Sequence, residues 1–153
     1  MARTVHTTEE VSGGAFVAGS VIRIVVTLAA AVGLVIAMFQ TWIDGIDGDS
    51  LAFGAYWQMH PATDVNFWRS AALVPLGCAI VGVVGLMTMS GWLTRLAGAV
   101  AIVAFGLIVI ELARADATLP DAIGAGLWWM LGGGLVMLIG SLFGSTASPT
   151  TTA

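Results

Sequence analysis

Four long apolar runs organise the chain, at Val21–Phe39, Ala71–Met89, Trp92–Leu112 and Leu119–Phe143. Each is continuous and does not alternate apolar with polar positions, so none reads as a strand of a barrel. Each is close to the roughly 20 helical residues needed to cross a hydrocarbon core about 30 Å thick. In lipid the backbone N–H and C=O groups have no water to bond, so such a run must be helical. The pattern predicts an all-α fold, a four-transmembrane-helix bundle formed by residues 20–144 as one domain. A polar tail over 1–19 precedes it, and a disordered tail over 145–153, "STASPTTTA", follows. The first run is longer than the 7–15 residues of a signal-peptide core and follows Glu9 and Glu10, so it reads as a retained helix.

The connections differ in kind. "SGW" at Ser90–Trp92 is a tight turn, which makes runs two and three an antiparallel hairpin. "TLPD" at Thr118–Asp121 fits a capping pattern with proline in the first turn of helix four, Asp121 lying near its positive end. Pro75 is expected to bend helix two. The link between runs one and two is roughly 30 residues long, and a link of that length is expected to carry structure of its own.

Composition strengthens the membrane reading. The chain is 58% hydrophobic and 9% charged, against roughly 45–50% and 25% in soluble domains. Lysine is absent, and a lysine-free set rich in Ala, Gly and Val suggests a GC-rich bacterial genome. The net charge of −4 lacks the basic footprint of a nucleic-acid binder. With the N-terminus inside, Arg3, Arg23 and Arg95 are cytoplasmic and Arg69 and Arg114 are outside, a small bias in the usual direction. That places both termini in the cytoplasm of a bacterial cell, and the long link becomes an extracytoplasmic loop. Trp42, Trp57, Phe67 and Trp68 then gather at the outer boundary, and Phe16, Trp92 and Phe143 at the inner one, as an interfacial belt.

The chemistry is defined by what is missing. Between the boundaries there is no Asp, Glu, Lys, His or Arg, except Arg23, which can snorkel, and Glu111, which can pair with Arg114 three residues on. Ion-coupled transporters hold ionisable groups inside the bundle. A bis-histidine haem site or a di-iron carboxylate site has no ligands there. One cysteine, Cys78, excludes a CxxC oxidoreductase and a thiolate zinc site, and reads as a small buried residue. No catalytic residue, cofactor or metal is expected.

Two features remain as candidates. Ala29, Gly33 and Ala37 recur along one face of helix one, and Gly140 and Gly144 form a GxxxG after Gly132-Gly133-Gly134. Small residues at that spacing let backbones approach in lipid, either within the bundle or against another subunit. Trp128 and Trp129 are adjacent and face about 100° apart on a helix, so one is expected to point inward and one outward. The second feature is the loop. "WIDGIDGDS" at Trp42–Ser50 holds three aspartates, but no start in it satisfies an EF-hand spacing. Flexible hydrated aspartates also lack the contrasting environments of an acid–base pair. Asp44-Gly45 and Asp47-Gly48 are turn dipeptides instead, flanked by "TWI" and "LAFGAYW". The loop reads as a short β-hairpin with an acidic tip, with Trp42 marking where helix one leaves the membrane. Thr63 or Asp64 would cap helix two. Phe53, Tyr56 and Trp57 are the expected recognition surface. His60, beside Pro61, reads as interfacial.

An arginine before span one, a tryptophan after it, a polar outer loop, "SGWLTRLAG" and the ending "GLWWMLGGGLVMLIGSLFG" resemble the small four-span proteins of actinobacteria called tryptophan-associated transmembrane proteins. The similarity runs from about Val21 to Gly144 and implies fold and location only. The expected function is that of a non-enzymatic accessory or scaffold subunit of an envelope assembly, such as a lipid-transport or respiratory complex. Its partners would be the lipid bilayer and either another membrane protein or further copies of itself. The alternative is a small transporter or carrier of an apolar or neutral molecule, with Trp128 or Trp129 lining its cavity.

Overall fold

The computed structural model describes residues 10–43, 45–58, 61–88, 90–115 and 122–142, with side chains from residue 19 onward. Four helices make up most of it: α1 (Glu10–Met38), α2 (Leu73–Met87), α3 (Gly91–Arg114) and α4 (Ala125–Gly140). Two of them, α1 over Gly19–Met38 and α3, are long and apolar enough to cross a membrane; α2 and α4 are apolar but shorter. The helices run up and down and pack in a closed cycle, α1 on α2, α2 on α3, α3 on α4 and α4 on α1. That order places α1 and α3 at opposite corners. One end carries the α1–α2 link and is called here the hairpin end. The other carries the start of the bundle portion of α1, the α2–α3 turn and the end of α4, and is called the tail end. Helix α1 begins at Glu10, well before the apolar run.

The bundle places its small residues inside and its large apolar ones outside. Ala30, Ala31, Ala97, Ala101 and Ala104 are buried, whereas Val25, Val32, Val103, Ile110 and Ile139 are exposed. Only 39% of the most apolar window of α1 and 33% of that of α3 is buried, so most of the apolar surface of both helices faces outward. Small inner residues bring the backbones together. A Cβ on Gly98 of α3 would lie 2.7 Å from the carbonyl oxygen of Gly134 on α4, closer than such atoms approach. Contacts this close supply dispersion and packing rather than transfer from water, which suits association in an apolar solvent.

The hairpin end is more elaborate than its sequence suggests. Strands β1 (Thr41–Ile43) and β2 (Ile46–Asp47) pair antiparallel, with Ile43 opposite Ile46. The turn between them holds Asp44, which lies outside the described residues, and Gly45 at φ +80°. A side chain there would be strained, so glycine is required. The hairpin is therefore the expected one at its tip but not in its second arm. "LAFGAYW" does not pair back on "TWI"; it forms a single 3-10 turn at Phe53–Tyr56. A second antiparallel contact comes from far along the chain, where Ile123 bridges Ile43 and the Gly124 N–H donates to the Trp42 carbonyl at 2.8 Å.

Trp42 is the largest correction at this end. It is not an interfacial anchor, because its side chain is fully buried. Its indole N–H donates to the Ala37 carbonyl at 2.7 Å. Tyr56 meets its ring edge-on at 6.4 Å. Gly48 and Gly126 press against it so closely that a Cβ on either would overlap the ring.

Helices α2 and α4 start later than their apolar patterns. Neither Thr63 nor Asp64 caps α2; Asp64 adopts φ +58° in the link, and the helix begins at Leu73 after a 3-10 turn at Phe67–Arg69. Pro75 consequently stands in the first turn of α2, where its missing N–H is not needed, and does not bend the helix. Helix α4 begins at Ala125 with Gly124 in extended conformation, because the preceding residues are drawn into the bridge to Ile43. The expected cap at Thr118–Asp121 lies outside the described residues, as do both termini, Phe143 and the histidines His6 and His60. The α2–α3 hairpin is as expected: the Ser90 N–H donates to the Gly85 carbonyl at 2.8 Å and α3 follows at once.

Candidate functional site

Two concave surfaces deserve comparison with the expected sites. The first is at the hairpin end. The link is laced by main-chain bonds, Ala52 N–H to the Ala62 carbonyl at 2.8 Å and Ala71 N–H to the Leu51 carbonyl at 2.7 Å. These bonds fold the link down onto the bundle and bury Leu51 and Ala55. On its outer side an open hollow of about 650 Å³ is lined by Phe53, Trp57, Trp68, Arg69 and Leu73, among others. Phe53 and Trp57 stand edge to face at 5.2 Å and are exposed.

Tyr56 does not join them. Its side chain is turned into the cap and its hydroxyl donates to the Ala71 carbonyl at 2.9 Å. Burial pushes its phenol well above the ordinary range, with a smaller contribution from Cys78. Two of the three expected recognition residues thus line one surface, and the third holds the loop down. Trp68 and Arg69 complete the hollow. Their adjacency in "NFWRS" was visible in the sequence, but an aromatic cluster near a helix start is also what an ordinary interfacial belt looks like.

The second surface lies between α1 and α4. Ala29 and Gly33 on one side and Trp128, Trp129, Gly132 and Val136 on the other enclose an open-sided groove of about 500 Å³. A Cβ on Gly33 would lie 3.7 Å from the Trp129 ring, an ordinary contact that leaves room. Both tryptophans are about half exposed. Neither points into the core; they fan outward over the groove, and Trp128 also meets Phe105 at 5.9 Å.

The small-residue face expected to act as a unit is divided. Ala29 and Gly33 line the groove, whereas Ala37 is buried under Trp42 as the acceptor of its N–H. Gly140 is spent on internal packing, where its Cβ position lies 2.6 Å from Val26. Gly144 lies outside the described residues.

The polar chemistry is sparse. Arg114 donates to Glu111 at 2.8 Å, the expected pair at the end of α3. Cys78 is buried. The Asp47 carbonyl accepts from Ser50 and Leu51, so the acidic stretch is organised as a turn through its main chain. Among the described residues no three His, Cys, Asp or Glu side chains come together in a way that could hold a metal ion. Compared with known proteins, the chain matches no family model, no curated protein and no solved structure.

Proposed function

We propose that this chain is a non-enzymatic integral membrane protein of a bacterial cytoplasmic membrane, with all four helices crossing the bilayer and both termini in the cytoplasm. It acts as an accessory or scaffold subunit of a larger envelope assembly. The observation that carries this reading is the groove between α1 and α4. At other places the helices of the bundle close on each other, with Gly98 against Gly134 and Gly140 against Val26. Along Ala29, Gly33 and Gly132 the same kind of residue is left open, with two tryptophans at the rim. A small-residue surface is where a further transmembrane helix packs, since close backbone approach replaces the missing hydrophobic drive. The outward-facing valines and isoleucines support the bilayer as solvent.

Photo-crosslinking from position 29 or 136 in native membranes tests the reading. A discrete protein adduct supports it. A chain that runs as a monomer in mild detergent and yields only lipid adducts overturns it.

A second reading is favoured by the same groove taken as a pocket. Its volume of about 500 Å³ and apolar lining suit a small apolar or neutral molecule, and the chain would then be a carrier. Flux into proteoliposomes above that of empty vesicles supports the carrier; equal flux removes it.

A further inference from the structure

Two open hollows meet at Leu73, the first residue of α2. One is the hollow of about 650 Å³ at the hairpin end, where Leu73 lies with Phe53, Trp57, Trp68 and Arg69. The other is an apolar crevice of about 250 Å³ between α2 and α3. Leu73, Val74, Gly77, Cys78 and Val81 form its α2 wall, and Leu96, Ala97 and Val100 its α3 wall. From Leu73 to Val81 it follows the helix for about 12 Å. A Cβ on Gly77 would meet nothing within 4 Å, so the crevice is open at its middle. Leu73 itself is half-buried, with one hollow above it and the other below.

The upper hollow is built on a fixed frame. Its walls come from the two 3-10 turns, Phe53–Tyr56 and Phe67–Arg69. Ala52, just before the first turn, bridges Ser70, just after the second. The Ser70 hydroxyl donates to the Phe67 carbonyl at 2.7 Å, and the Tyr56 hydroxyl ties the first turn to Ala71. The two turns are therefore held side by side before any ligand arrives, which lowers the ordering cost of binding one.

Its charge has one sign. Arg69 is the one charged residue among those lining the hollow; Asp47, Asp49 and Asp64 of the same link do not line it. Among the described residues the ion pair is that of Arg114 with Glu111, so no described carboxylate occupies Arg69, which is exposed. Trp57 and Trp68 are exposed beside it. Their rings are apolar and carry an N–H donor, a combination suited to the boundary between headgroups and chains.

We infer that the two hollows together bind one anionic phospholipid, its phosphate at Arg69 and one acyl chain in the crevice between α2 and α3. Arginine presents a planar fork of donors that matches phosphate, and basic pockets beside membrane helices hold anionic headgroups. From Arg69 through the tryptophans to Leu73 and down to Val81, the lining passes from cationic to amphipathic to apolar. A phospholipid presents its phosphate, glycerol and chain in that order. A free phosphate ion would use Arg69 and leave the crevice idle. The inference rests on the bilayer location proposed above, and not on the groove between α1 and α4.

The test is native mass spectrometry of the full chain in mild detergent, titrated with phosphatidylglycerol, phosphatidylcholine or glycerol phosphate. Phosphatidylglycerol is expected to bind in preference to the other two. R69Q lowers its affinity roughly 5-fold and leaves phosphatidylcholine unchanged, so the preference is lost. R114Q makes the same change of charge at the same end of the bundle and leaves phosphatidylglycerol binding as it was. Gly77→Leu fills the crevice and weakens both lipids several-fold, with Gly77→Ala intermediate; the alanine variant carries this arm if leucine does not fold. Equal losses in R69Q and R114Q overturn the inference, because surface charge would then suffice. So do unchanged lipid binding with the crevice filled, and glycerol phosphate that binds as tightly as phosphatidylglycerol. Carbonate extraction of native membranes separates this inference from the reading beneath it. A chain that is stripped off overturns both, whereas an inserted chain with a silent R69Q overturns the lipid site alone.

Discussion

The Trp42 indole donates its N–H to the Ala37 carbonyl at 2.7 Å, across the last turn of α1, with the ring wholly enclosed. The carbonyl lies in the last turn of the helix, where it also accepts a longer bond from the Gln40 N–H at 3.4 Å. Around it, the cap joins the α1–α2 link to the start of α4. Trp42→Ala is expected to destabilise the fold by about 3–5 kcal/mol. Trp42→Phe, which keeps most of the packing but removes the short bond to this carbonyl, is expected to cost about 0.5–1.5 kcal/mol. Thermal unfolding in detergent measures both. An interfacial anchor would tolerate phenylalanine, so a neutral W42F contradicts the buried role.

Close packing of α3 on α4 predicts unequal effects among glycines. A Cβ on Gly98 would strike the Gly134 carbonyl at 2.7 Å, whereas one on Gly132 would meet nothing within 4 Å. Gly98→Ala should therefore destabilise by about 1–3 kcal/mol. Gly132→Ala should be neutral or slightly stabilising, since alanine is the better helix former. Equal effects in the same unfolding assay would rule out this packing.

Filling the α1–α4 groove separates docking from folding. Gly33→Leu places its side chain beside Trp129 in open space. Stability is expected to stay within about 0.5 kcal/mol of wild type, while crosslinks from position 29 to a partner disappear. Persistent crosslinks with the groove filled count against it as the docking face.

Tyr56 is the only tyrosine, so its ionisation can be followed without interference. Burial raises its phenol above the ordinary value of 10.0. A raised pKa means that the folded state holds the proton more tightly than the unfolded state does. The resulting stability is complete below about pH 10 and declines as pH rises beyond it. Phenolate absorbance should therefore stay low above about pH 10 until the chain unfolds. Tyr56→Phe should remove this alkaline loss and lower stability at neutral pH by about 0.5–1.5 kcal/mol, through the lost bond to Ala71. A phenol titrating at its ordinary pKa in the folded protein would show that Tyr56 is not enclosed.

Much was legible in the residue pattern. Four apolar runs become four helices because a continuous run of that length leaves the backbone no better way to satisfy itself. The Ser90-Gly91-Trp92 turn and the Glu111–Arg114 pair are local, at spacings where only neighbouring residues matter, and both stand as read. The turn at Gly45 was legible for the same reason: its positive φ is a demand on one residue.

The misplaced features all depend on partners distant in the chain. By sequence Trp42 reads as interfacial, because a tryptophan after an apolar run usually sits there; the return of Gly126 and Tyr56 to that spot, with Gly48, encloses it. Helix α4 starts late because Ile123 is taken up by Ile43, some eighty residues earlier. The repeat of Ala29, Gly33 and Ala37 could not announce that its first two members line an open groove while the third is covered. Residue type and period determined the helices, their number and the apolar exterior, because these follow from local backbone and solvent physics. Which small residues close on a neighbour and which stay open was decided only by the tertiary packing. Contact and burial depend on what the rest of the chain brings to the same place.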